Sequence, residues 1–101
     1  MEAINKGSVE ALLVALRDRL GNLTDASTLS SPMFYVHDEE TDAAVQPDTP
    51  WTVDPDFPMT AICQVDTTLA AYVKGGTYNL FLKYTSGSEH PVLGPEPFRV
   101  R

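Results

Sequence analysis

Gly75-Gly76-Thr77-Tyr78-Asn79-Leu80-Phe81-Leu82-Lys83-Tyr84 carries the clearest structural signal in the chain. Paired glycines mark a turn, and the residues after them alternate. Tyr78, Leu80, Leu82 and Tyr84 fall on one face, and Thr77, Asn79, Phe81 and Lys83 on the other. Successive side chains of a pleated strand point to opposite sides, so this period of two is the mark of a half-buried strand. Its continuous, largely apolar face requires further strands to cover it.

Shorter strand patterns flank it. Met59 to Asp66 sets Ala61, Cys63 and Val65 against Thr60, Ile62 and Gln64, and Met33 to Asp38 sets Phe34 and Val36 against Met33, Tyr35 and His37. Asp38-Glu39-Glu40-Thr41-Asp42 then reads as a turn, with Ala43 to Gln46 returning, which predicts a hairpin with an acidic tip. From Pro47 to Pro58 there are four prolines in twelve residues. Proline supplies no ladder donor, so this segment predicts an edge or a long irregular crossover. Trp51, inside it, either plugs the end of the core or stands exposed as an interface anchor. Val92 to Val100, interrupted by Gly94, Pro95 and Pro97, predicts an edge or bulged strand that ends with Phe98 and Val100 in the core.

Ahead of these strands, residues 8–20 predict an amphipathic α-helix. Ser8 is a suitable N-cap, Glu10 sits where a negative charge favours the helix dipole, and Gly21 follows as a stop. Val9, Leu12, Leu13, Leu16 and Leu20 fall at helical spacing and form one apolar stripe. Such a helix would pack over its own sandwich or dock on another subunit, and Leu12 and Leu13 are its candidate contact residues. Asn22 to Pro32 reads as a polar connector.

The 101 residues suffice for a single domain, 1–101, comprising the helix at 8–20 and a β-sandwich over 33–101. One cysteine, Cys63, allows no internal disulfide and reads as a small buried hydrophobe. No apolar run approaches the roughly 20 residues of a membrane span, and the first residues lack a secretory pattern, so synthesis in a cytoplasm and no membrane partner are expected. The formal net charge is −7, and no lysine or arginine occurs between Arg19 and Lys74, where nine acids fall. A surface of that sign does not neutralise phosphates, which argues against direct nucleic-acid binding and for a basic partner or a solvated acidic rim. The tip residues Asp38, Glu39, Glu40 and Asp42, together with Trp51, join Leu12 and Leu13 as candidate interface positions.

Motifs of chemistry are weak. Asp38 to Asp42 matches no EF-hand loop, and two histidines, His37 and His90, with one cysteine fall short of a four-ligand zinc site. Neither histidine accompanies a nucleophile motif, and Gly75-Gly76 opens a strand instead of a phosphate-binding helix. No catalytic residue, cofactor or metal is expected. An alternative is a carbohydrate-binding module stacking sugars on Tyr35, Trp51 and Tyr72.

One helix followed by six or seven short strands outlines an antiparallel immunoglobulin-like β-sandwich. Val73-Lys74-Gly75-Gly76-Thr77-Tyr78 looks like a tyrosine corner, with Gly76 and Tyr78 as its structural residues. Further, Gln64-Val65-Asp66-Thr67-Thr68, Gly76-Thr77-Tyr78 and Pro91-Val92-Leu93-Gly94-Pro95 closing on Phe98-Arg99-Val100 resemble small immunoglobulin-like virion proteins of tailed bacteriophages. The likeness spans only residues 59–100. It implies a non-enzymatic structural protein of the virion, a head-to-tail connector or neck component in a ring, with portal, capsid or tail subunits as partners and homo-oligomeric assembly. A capsid decoration protein is the alternative of the same class.

Overall fold

Thr77–Thr85 is a strand at the middle of the larger of two sheets. The computed structural model describes residues 2–18 and 20–101, with Thr28 described by its backbone alone. In chain order the strands are β1 (Glu2–Ile4), β2 (Val9–Ala15), β3 (Ser30–Asp38), β4 (Ala44–Pro50), β5 (Thr52–Asp54), β6 (Phe57–Asp66), β7 (Thr77–Thr85) and β8 (Val92–Val100). One sheet has the order β1-β8-β7-β3-β4 and the other β2-β6-β5. Their inner faces share one core, in a sandwich-like arrangement.

The alternations set the layers. Tyr78, Leu80, Leu82 and Tyr84 of β7 are buried, as are Phe34 and Val36 of β3, Phe98 and Val100 of β8, and Ala61, Cys63 and Val65 of β6. Prolines set the edges: β4, with Pro47 and Pro50, closes one side of the larger sheet, and β5 closes the smaller. β8 lies between β1 and β7, but β1 covers only Phe98 to Val100. The β1–β8 pair is parallel, so the larger sheet is mixed where a wholly antiparallel one was expected.

The helix expected over residues 8–20 is absent, and no α-helix occurs among the described residues. Val9–Ala15 is a strand in register with β6, from Val9 opposite Asp66 to Ala15 opposite Thr60. Leu12, Val14 and Leu16 alternate just as well as Leu12, Leu13 and Leu16 fit a helical stripe, and a short apolar run leaves the two periods ambiguous. Packing decides between them. As a strand the segment buries Leu12, Val14 and Leu16 and completes the ladder on one side of β6, whereas a helix this short is marginal in water. The supposed caps have other uses. Ser8 Oγ donates to Asn5 O and to Glu10 Oε2, while Gly21, at φ 86°, sits in a turn where the Asp18 carboxylate accepts from Leu20 N and Asn22 N. Arg19, counted in the predicted helix, lies outside the described residues.

The turn before β7 is pinned by Tyr78, whose hydroxyl accepts a 2.6 Å hydrogen bond from Val73 N. Gly76 makes room for it, since a Cβ there would lie 2.6 Å from the same oxygen. Behind the ring, Tyr72 and Phe98 pack edge-on and tilted against Tyr78. Tyr72 in turn donates to the buried Gln46 Oε1 at 2.8 Å, and Gln46 also accepts from Asp66 N and donates to Gln64 O. This amide, from an edge strand of one sheet, ties the backbone of β6 in the other.

Candidate functional site

Alternation that buries Leu12 and Val14 must turn Leu13 outward. On the outer face of the smaller sheet Leu13 pairs with Ile62, and Thr52 of β5 pairs with Ile62 from the other side. The tight turn from Asp54 to Phe57 brings Phe57 over the same surface: Asp54 Oδ1 accepts from Asp56 N at 2.9 Å, and Asp54 and Phe57 are register partners. Leu13 is 65% exposed and Phe57 67%, and Val9 extends the apolar surface along β2. Large side chains left together in water are unusual on a free surface and mark contact sites, because burying them returns roughly 25 cal/mol per Å².

Leu13, Asp54, Phe57, Thr60 and Ile62 line a cleft of about 390 Å³. Three of these side chains are apolar, Thr60 adds a hydroxyl and Asp54 a carboxylate. No lysine or arginine belongs to β2, β5 or β6. Arg17, the nearest basic residue along β2, is engaged with Gly21 O at 2.9 Å in the following turn. The face is therefore apolar at its centre, and the charged side chains within its three strands are all acids.

The larger sheet carries a different surface. Tyr35 and Phe81, cross-strand partners, stack with centroids 5.1 Å apart, and His37 lies 5.0 Å from Tyr35. Lys83 sits over the Tyr35 ring at 5.4 Å and forms an ion pair with Asp48. These rings are half-buried, whereas Leu13 and Phe57 on the smaller sheet are exposed.

The predicted contact residues separate. Leu13 is on the exposed apolar face. Leu12 is 5% exposed and belongs to the core, since a strand points neighbouring residues to opposite sides, and this corrects its assignment as a contact residue. Trp51 is corrected likewise: it is 4% exposed, and Nε1 donates to Lys83 O at 3.2 Å, so it closes the core. In the acidic tip, the Asp38 carboxylate accepts from Glu40 N and Thr41 N, which shapes the turn; Asp42, at φ 58°, lies 3.0 Å from His37 Nδ1; and Glu39 and Glu40 are exposed. That tip belongs to the other sheet and does not join the Leu13 face. Gly76 and Tyr78 occupy the structural positions described above. The sugar-stacking trio also divides, because Tyr72 and Trp51 are buried and Tyr35 alone is partly open. Phe57 and Ile62, which line the cleft on the Leu13 face, were not among the candidates read from the sequence. Phe57 stood among prolines, and Ile62 shared its strand face with Thr60 and Gln64, so the one available signal was an apolar residue on an otherwise polar face.

No family model, curated protein or solved structure matches the chain. The chemistry of the site thus rests on its own groups. Burial pushes the Cys63 thiol up to about 12, far from the thiolate range of a nucleophile. Burial also raises the Tyr72 phenol, with Tyr78 and Asp66 adding to the effect. His90 Nδ1 lies 3.1 Å from Thr85 Oγ1 in a cleft of about 790 Å³ that also includes Arg17, Asp18 and Glu89. His37 lies beside Asn79, near the opposite end of β7, so the two histidines do not converge. Among the described residues no three His, Cys, Asp or Glu side chains gather as a metal set.

Proposed function

We propose that this chain is a non-enzymatic structural subunit that works by protein–protein contact through the outer face of its smaller sheet. The observation that carries the reading is the surface formed by the exposed Leu13 and Phe57 with the half-buried Ile62 in the same cleft, bordered by Asp54. A β-sandwich holds such a face in fixed orientation, and its function is then geometric: the same surface offered at the same angle in every copy.

The assembly we propose is a tailed-phage virion, with the chain as a head-to-tail connector or neck component in a ring, on the resemblance carried by Gln64 to Thr68, Gly76 to Tyr78 and Pro91 to Val100. Portal, capsid or tail subunits are the partners this reading names. Sedimentation of the source lysate, with the chain quantified across the gradient against the major shell protein, tests it. A few copies per particle supports the neck, near-equality with the shell protein supports decoration instead, and a chain that stays at the top overturns the virion reading. Leu13→Asp with Phe57→Asp tests the surface: the folded double variant should be lost from particles, and normal incorporation would remove the face from the contact.

A further inference from the structure

The cleft beside Leu13 is lined by three kinds of group, each suited to a different part of one side chain. Leu13 and Ile62 are aliphatic, the exposed Phe57 carries an aromatic ring, and Asp54 carries a carboxylate that accepts from Asp56 N at 2.9 Å. We propose that this cleft receives an arginine side chain of a partner protein, its stem lying on Leu13 and Ile62 and its guanidinium between the Phe57 ring and Asp54. The inference rests on the reading of this face as a protein contact surface and adds the chemistry of what it contacts.

Charge selects the occupant. None of the three strands of this sheet contributes a lysine or arginine, and Asp54, Asp56 and Asp66 are acids at its turn and strand end. A second copy presenting the same face would set carboxylate against carboxylate, whereas a basic side chain satisfies Asp54 and is attracted from a distance. Arginine fits better than lysine. Its planar fork pairs with a carboxylate through two N–H groups and stacks on an aromatic ring, while its methylene stem covers apolar surface. Part of the Phe57 and Leu13 area is thereby removed from water without a buried unpaired charge.

The test is chemical-shift mapping on the ¹⁵N-labelled full chain with a capped Leu-Arg-Leu tripeptide, titrated to about 10 mM, since a single shallow contact is expected to be of millimolar strength. The expected result is saturable shifts at Leu13, Thr60 and Ile62. They should weaken about tenfold in affinity in Asp54→Asn, whose side-chain oxygen can still accept from Asp56 N and so keep the turn. Equal shifts with citrulline in place of arginine would overturn the proposal, because the charge would then be irrelevant. Equal affinity for the lysine tripeptide would overturn the assignment to arginine, and an absence of shifts would overturn the pocket. If dilution of the protein alone moves the same peaks, the occupant is a second copy and the proposal falls. Failure here with loss of the Leu13→Asp, Phe57→Asp variant from particles would leave the contact face standing with a different partner chemistry. Normal incorporation of that variant would instead sink the contact reading itself.

Discussion

The Tyr78 hydroxyl decides the geometry of the last long connection. It receives the Val73 N–H at 2.6 Å, and Gly76 lies so close that any Cβ would collide with it. Tyr78→Phe removes the acceptor and leaves a partly buried donor without a partner, so a loss of about 1 kcal/mol is expected in urea unfolding with an unchanged slope. An unaltered midpoint would show that the bond contributes nothing. Gly76→Ala should cost more, about 1–3 kcal/mol, because the pinned ring has little freedom to retreat. Gln46 was invisible in the sequence, where it ended a short strand next to Pro47. Its amide takes the Tyr72 hydroxyl and Asp66 N–H and gives to Gln64 O, so Gln46→Ala should destabilise by about 2–3 kcal/mol.

Among the elements, β2 shows where sequence reading meets its limit. The run from Val9 to Leu16 satisfies both a helical stripe and an alternation, and local pattern has no means to choose. The choice comes from β6, a strand ten residues long whose free side β2 pairs over seven consecutive positions. Such non-local pairing is outside any window of sequence. By contrast β3, β6 and β7 were legible because each alternates inside its own borders, and the edge position of β4 and β5 was legible because proline excludes them from the middle of a sheet. The two periods make opposed predictions for adjacent residues. Leu12→Asp buries a charge among Val14, Leu16 and Cys63 and should cost about 3 kcal/mol or more, whereas Leu13→Asp should change stability by about 0.5 kcal/mol or less. Thermal unfolding of the two variants reads this directly, and equal losses would contradict the strand. The same ambiguity hid the exposed apolar face: a helical stripe placed Leu13 beside Leu12, whereas the strand separates the two and sets Leu13 opposite Ile62.

For the whole molecule, titration is coupled to folding through groups the core holds neutral. The Cys63 thiol has an ordinary value of 9.0 and is pushed up to about 12 by burial, so between those limits the unfolded chain gives up a proton that the folded chain keeps. The contribution of this thiol to stability is therefore fully present below pH 9 and is lost as pH rises toward 12, by roughly 1.4 kcal/mol per pH unit for one such proton. Tyr72, raised by burial in the same direction, steepens the decline above its ordinary value of 10.0. Cys63→Ala should flatten the curve between pH 9 and 10, as followed by urea midpoints across that range, and an unchanged slope would show that the thiol is not the source. A different consequence lies in the parallel pairing of β1 with β8. Glu2, Ala3 and Ile4 lie beside Phe98, Arg99 and Val100, and Gly75 and Gly76 also bond to Val100. β1 thus has no partner in the sheet until β8 is in place, and the corner before β7 is locked only when that strand arrives. Without Phe98 and Val100 the core stays open and β1 and β7 each keep an unpaired edge, so closure of this sandwich is paced by contacts between residues far apart in the sequence.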